Sequence, residues 1–293
     1  MTDCIECKGI NKEYSSKKAL RDINVCFEKG KIYGLIGRNG AGKTTLLSIM
    51  ASQNPATSGT VLVDGEPVWE NASALKKICF SRELNISSAN NNQLGSMHVK
   101  DYLKMAETYY PYWDKEMAAD LIKDFELDVS EKMGQLSKGM LSMVTIIVAL
   151  ASKAEYTFLD EPVAGLDVIA REYFYKLLVE EYTQTGRTFI VSTHIIEEAS
   201  PILEEIVIIK NGSVLLKENT EELLASAFHV NGKAEEVDAA TAGLATYHEE
   251  IIGRSKGVTV LLKAGEEIKK GYDVTVQPIS LQQLFVALCG MGA

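Results

Sequence analysis

No stretch of this sequence is long and apolar enough to cross a lipid bilayer. The longest apolar run, about Val144 to Ala151, falls far short of the roughly 20 residues that a spanning helix needs. Any membrane role is therefore expected to come through a partner. Cysteine is sparse: Cys4, Cys7, Cys26, Cys79 and Cys289 form no disulfide framework. The Cys4–Cys7 spacing suits zinc, but no second Cys or His pair follows to complete four ligands. Reduced, buried thiols on a first strand of a cytosolic protein are the expectation. A basic excess is missing too, with 30 Lys and Arg against 40 Asp and Glu and a net charge of -10. Such a chain matches the phosphate backbone of nucleic acid poorly, so no nucleic-acid partner is expected. The opening MTDCIECKGI lacks a basic stretch followed by an apolar run, so no signal peptide is expected. There are no repeats and no low-complexity tract.

What is present is a chain of 293 residues, 46% hydrophobic, enough for a large core plus an appendage. Its first 70 residues read as short strands: Ile5–Ile10, Ile23–Phe27, Lys31–Ile36, and a hairpin of Thr60–Val63 and Val68–Trp69 around Asp64-Gly65. A helix should begin at Thr44. An Asn-rich loop (Asn90 to Gln93) leads into helical patterns at Val99–Tyr110, Lys115–Phe125 and Leu136–Ala151, the first ended by Pro111. Apolar runs at Tyr156–Leu159, Thr188–Val191 and Ile206–Ile209 alternate with helical segments, which predicts an α/β fold with a mainly parallel sheet. Thr157 is an irregularity within its apolar run. Beyond Asn219 the pattern weakens to strands at Val258–Lys263 and Val274–Val276 and a closing helix from Leu281.

The segment Gly37-Arg38-Asn39-Gly40-Ala41-Gly42-Lys43-Thr44 fits the pattern G-x-x-x-x-G-K-[ST], between a strand and a helix. Glycines let N–H groups turn inward onto phosphate oxygens, and the helix start adds partial positive charge. Lys43 should reach the β- and γ-phosphates, the Thr44 hydroxyl should ligate Mg²⁺, and Thr45 follows in the same turn. The run Tyr156–Leu159 delivers Asp160 to the magnesium shell. Glu161, just past the strand end, can polarise an attacking water. Upstream, Leu136-Ser137-Lys138-Gly139-Met140 opens an apolar helix. There a hydroxyl, exposed N–H groups and a helix dipole make either a second anion grip or an ordinary cap.

Together these residues resemble the ATP-binding-cassette (ABC) ATPase family over about residues 4–219. Leu136-Ser137-Lys138-Gly139-Met140 is similar to the family's LSGGQ signature, with Lys138 and Met140 as departures. The resemblance implies a P-loop NTPase with a RecA-like core, an antiparallel β-subdomain, a helical subdomain inserted at about 85–150, and a small α+β appendage at 220–293. It implies ATP and Mg²⁺ as cofactors. It also implies a head-to-tail dimer, homomeric or heteromeric, in which Ser137 and Gly139 act in trans. Tyr14 matches the aromatic that stacks on adenine, although a plain surface tyrosine also fits. Asp167, in Ala164-Gly165-Leu166-Asp167, matches the D-loop, and His194 matches the switch histidine that orients Glu161 and water. Where the family usually has a glutamine, Glu83 is the best match, with Arg82 next, leaving a possible oxygen ligand for Mg²⁺ with an added charge. Tyr109-Tyr110-Pro111-Tyr112-Trp113-Asp114 reads equally as packing around a helix break and as a docking surface for a permease. Order, length and tail resemble ATPase subunits of bacterial ABC-2-type exporters, at the inner face of the cell membrane and bound to a transmembrane permease subunit. The alternatives are a soluble ABC ATPase acting on ribosomes or nucleic acid, or a regulatory ATPase without transport. The acidic charge, lone cassette and lack of heptads weigh against the first, and Glu161 with His194 against a dead enzyme. For residues 220–293, regulation, dimer support and permease contact all fit.

Overall fold

The computed structural model describes residues 3–15, 17–84, 86 and 92–290. Contacts group the chain into two units, Met1–His194 with Glu205–Lys217, and Ile195–Glu204 with Glu218–Ala293.

In the first unit, β1 (Cys4–Tyr14) and β2 (Lys17–Glu28) alternate buried and exposed residues over much of their length, the pattern of strands with one face on a core. The next strand, β3 (Ile32–Ile36), is buried throughout, as a central strand covered on both faces must be. It is followed by α1 (Lys43–Met50), β4 (Ser58–Val63) and β5 (Glu66–Pro67), and the antiparallel sheet has the order β2-β1-β4-β5. Asp64 and Gly65 both have positive φ, 51° and 86°, as the hairpin reading requires. The arm of that hairpin is Glu66–Pro67, however, not Val68–Trp69. A two-residue turn sets Glu66 directly opposite Val63 and Pro67 opposite Leu62, and past the strand's end Val68 adds one more cross-strand bond, its N–H donating to the Val61 carbonyl at 3.0 Å.

Then come α2 (Ala72–Leu75), β6 (Ile78–Arg82), α3 (Asn92–Ser96), α4 (Val99–Tyr109), α5 (Lys115–Asp124) and α6 (Lys138–Ala151). Residues 90 and 91 of the Asn-rich loop lie outside the described residues, and Gln93 belongs to α3. At the end of α4, Tyr110 is extended, as a residue preceding proline is constrained to be. Asp114 restarts the chain by accepting from the Met117 N–H at 3.0 Å. The unit continues with β7 (Tyr156–Asp160), α7 (Val168–Thr185) and β8 (Thr188–Ser192); past α8 (Ile196–Ala199), which groups with the second unit, come β9 (Glu205–Lys210) and β10 (Ser213–Asn219). A six-stranded sheet has the order β10-β9-β3-β8-β7-β6, parallel from β9 through β6. One core joins the two sheets, with Leu46, Leu47 and Met50 of α1 among residues of both. The parallel pairing matters for function, because it carries the carboxyl ends of β3, β7 and β8 to one edge, where open α/β sheets bind ligands.

The second unit runs α9 (Thr220–Ala225), β11 (Ala227–Lys233), α10 (Ala234–Ala240), β12 (Thr246–Ile252), β13 (Ser255–Leu261), β14 (Val274–Pro278) and α11 (Leu281–Cys289). Its antiparallel sheet has the order β12-β13-β11-β14, and Val230, Val237, Val258 and Val260 form a core of its own. The sequence pattern anticipated β13, β14 and α11 but not β11, β12, α9 or α10.

Candidate functional site

The loop between β3 and α1 is built by close backbone approach. A Cβ on Gly37 would lie 2.6 Å from the Ile209 carbonyl oxygen. Gly42 has a φ of +114°, and a Cβ there would lie 2.6 Å from Leu20 Cδ2. Ala41 N–H donates to the Arg38 carbonyl at 3.0 Å, closing the loop on itself. No side chain caps α1, and no acidic residue sits in its first turn. Its first N–H groups and positive end therefore face outward, the arrangement that binds anions. Lys43 Nζ donates to the Gly37 carbonyl at 2.7 Å. Burial pushes the Lys43 ammonium below the ordinary lysine value, while the Glu161 and Asp160 carboxylates oppose that shift. A cation held in a site that disfavours it binds an arriving phosphate strongly.

A cavity of about 380 Å³ lies over this loop. Tyr14, Asn39, Gly40, Ala41, Gly42, Lys43, Thr44, Thr45 and Glu161 line it, with Lys17 and Ala19 from the start of β2. Gly37 and Arg38 shape the loop without lining the cavity. Lys17 and Ala19 escaped the sequence reading because they carry no motif, being brought in only by the β1–β2 pairing. Tyr14 ends β1, half-exposed, with Lys12 Nζ 4.8 Å from its ring centre and its hydroxyl bonded to Asn54.

Strand register assembles the carboxylates. Asp160 pairs with Ser192 across β7–β8, and Leu35 pairs with Ser192 across β3–β8. Asp160 is 6% exposed, and its Oδ1 is buried without a hydrogen-bond partner among the described residues. A carboxylate oxygen left so is expensive unless a cation joins it. Together with the Thr44 hydroxyl, in the first turn of α1 and in the wall of the cavity, the donors suit Mg²⁺, which takes a few protein oxygens and completes its shell with phosphate and water. Among the described residues no group of three or more His, Cys, Asp or Glu side chains could form an all-protein metal cage. Glu161 follows with φ 52°, a left-handed conformation that turns the chain sharply out of the strand. Its N–H donates to the Ser192 carbonyl at 2.9 Å. Its Oε2 lies 2.6 Å from His194 Nδ1 and accepts from the His194 N–H at 3.4 Å.

The remaining sequence-selected residues form a second cluster. Ser137 caps α6, its Oγ accepting from Met140 N–H at 3.2 Å. Gly139 packs against the loop before α7 so closely that a Cβ would lie 2.6 Å from the Gly165 carbonyl oxygen. Asp167 caps α7, accepting from Ala170 N–H at 2.9 Å. Ser142 Oγ donates to the Ala164 carbonyl at 2.6 Å, a tether missed because a serine within an apolar helix carries no motif. None of Ser137, Gly139 and Asp167 lines the phosphate-loop cavity. Glu83 joins this second cluster through an ion pair to Lys138 Nζ at 2.9 Å. The aromatic segment divides: Tyr109 and Tyr112 are 64% and 68% exposed, while Tyr110 is turned in and meets Tyr109 edge-on at 5.1 Å.

Residues 20–164 match the ABC transporter family. The ABC transporter ATP-binding protein YtrB of Bacillus subtilis (strain 168) is 25% identical to this chain, covering 98% of each. The ABC transporter ATP-binding protein NatA of the same organism is 29% identical, over 77% of this chain and 91% of its own. A solved dimeric ATP-binding cassette in a post-hydrolysis state, bound to ADP and Pi, is 25% identical with a TM-score of 0.63, covering 74% of this chain and 98% of that one.

Proposed function

Because the chain carries an ABC transporter nucleotide-binding domain, an ATPase that binds ATP, we propose that it is the energy-supplying subunit of an exporter, working on a separate permease at the inner face of the cell membrane. Residues 1–219 are the ATPase domain in this reading and 220–293 an accessory domain.

ATP lies in the phosphate-loop cavity, with adenine on Tyr14, where such stacking is worth about 1–3 kcal/mol. The backbone N–H groups of residues 37–45 and the Lys43 ammonium bind the phosphates. Thr44 and Asp160 would hold Mg²⁺, which would neutralise charge developing on the phosphoryl oxygens. Glu161 takes the proton of the attacking water, and His194 fixes the carboxylate's direction by its 2.6 Å bond. Ser137 and Gly139 of a second copy close over the γ-phosphate, and Asp167 lies at the junction. The observation that carries this reading is the separation of the two clusters. A cavity lined by the loop and Glu161 but not by Ser137, Gly139 or Asp167 is half of a site, which a second domain completes.

A groove of about 320 Å³, lined by Phe80, Arg82, Tyr102, Met105, Tyr109 and Tyr110 among others, supports the permease partnership, since exposed aromatics recur at binding hot spots. The full-length match to YtrB, tail included, supports a transporter subunit of that plan. Purification of the tagged chain from detergent-solubilised native membranes tests the partnership. A stoichiometric multi-span membrane protein should co-purify. Ribosomal proteins in its place, or no membrane protein, would overturn the reading.

A further inference from the structure

Two side chains stand where the family resemblance leads one to expect others, and in the structure they meet. Glu83 is the best match to the usual glutamine, with Arg82 next, and Lys138 matches the first signature glycine; the charged ends of Glu83 and Lys138 lie 2.9 Å apart. Lys138 is the first residue of α6, whose first turn holds no acidic residue. A cation there adds to the positive end of the helix instead of offsetting it, so the position calls for an anion from elsewhere. Glu83, just past β6, supplies it. The lysine stem also crosses the loop before α7: a Cβ on Gly165 would lie 2.8 Å from Lys138 Cγ and 3.0 Å from its Cβ. One side chain thus joins the end of β6, the signature and the Ala164–Asp167 loop. Both partners are about half exposed, 58% and 47%. Such pairs are weak and screened by salt, and a more highly charged anion displaces a carboxylate from them readily.

We propose that the Glu83–Lys138 ion pair is an autoinhibitory contact, in which Glu83 acts as an internal anion that the triphosphate of ATP on a second copy must displace before the dimer closes. The inference rests on the shared-site reading above. In the free chain the carboxylate neutralises the signature cation, so closure requires more ATP than the phosphate contacts alone would set. On closure Lys138 exchanges carboxylate for phosphate, and the end of β6 is released from the signature. Glu83 in this role positions Lys138 and touches no reacting atom.

The test is an ATP titration of dimerisation by light scattering, with every variant carrying Glu161→Gln so that turnover does not interfere. Glu83→Gln keeps a neutral oxygen and removes the charge. It should lower the ATP concentration for half-maximal dimer about twofold to fivefold, the weight of one exposed pair for each ATP bound. Lys138→Gln should raise that concentration and make Glu83→Gln silent. The exchange Glu83→Lys with Lys138→Glu restores an ion pair but turns a carboxylate toward the incoming phosphate, so it should dimerise poorly. A merely structural pair would be rescued by that exchange. If Glu83→Gln leaves the ATP requirement unchanged or raises it, or if the exchanged pair behaves like the parent, the autoinhibitory contact is overturned. A Glu161→Gln parent that stays monomeric in ATP overturns the shared-site reading, and this inference with it.

Discussion

Glu161 shows how one residue's backbone decides where its side chain lies. A left-handed φ costs a non-glycine residue on the order of 1–3 kcal/mol, and the bonds to the Ser192 carbonyl and to His194 hold it there. The kink puts a carboxylate in the wall of the phosphate cavity and leaves the preceding Asp160 buried in the sheet. Glu161→Gln should therefore bind ATP normally while its turnover number falls by about 100-fold or more, the usual weight of a positioned general base. An unchanged turnover number would remove Glu161 from that role. Lys43→Ala should abolish nucleotide binding to the isolated chain, because no other buried cation faces the loop among the described cavity residues. Ser137→Ala should leave binding intact and lower hydrolysis, its hydroxyl lying on the other cluster. Fluorescent-nucleotide titration beside a phosphate-release assay separates the two, and equal loss of binding in both variants would refute the divided site.

At the scale of elements, a buried charge network holds the helices to the sheet. Arg187, just before β8, donates to the Leu150 and Ala149 carbonyls at the end of α6, at 2.8 and 2.9 Å. It also pairs with Glu181 of α7 at 2.9 Å and donates to Thr157 Oγ1 at 2.7 Å. That last bond explains the polar residue in the apolar run of β7. Lys153 reaches Glu181 as well, at 2.7 Å. Glu181→Ala would leave the Arg187 guanidinium buried without its carboxylate and should cost about 3–5 kcal/mol, read as a lower urea midpoint. Nucleotide affinity of the folded protein should stay near that of the parent, since neither residue lines the phosphate cavity. None of this was legible in the sequence, where an arginine before a strand reads as surface. The strand β6 was missed for a related reason: five residues containing Cys, Ser and Arg have too little apolar character to stand out before their partner β7 is known.

For the whole molecule, ATP should drive association. With ATP and Mg²⁺, Glu161→Gln should sediment as a dimer at concentrations where the nucleotide-free protein is a monomer. Removing Mg²⁺ with a chelator should abolish hydrolysis by the parent while ATP binding persists, weakened. Hydrolysis that survives chelation would exclude Thr44 and Asp160 as the residues holding a required metal. The second unit, with its own valine core, was the least legible part of the chain. Strands such as β12, exposed at nearly every position, lack the alternation that marks a strand in a sequence.

The sequence by itself determined which residues the proposed chemistry of the first unit rests on. Gly37 to Thr44, Asp160-Glu161 and His194 are contiguous or strand-end signals whose meaning depends on local backbone geometry, so spacing alone reveals them. The helix start at Ser137 and the stop before Pro111 are local in the same way, because caps and proline act within a few residues. Only the tertiary structure decided which of those signals share a place. Parallel register sets Asp160 beside Ser192, close approach of glycine backbones joins the signature to the loop at Gly165, and Glu83 finds Lys138. Each is a contact between segments far apart in the chain, made by packing rather than by local preference. A linear pattern of residues carries no record of it.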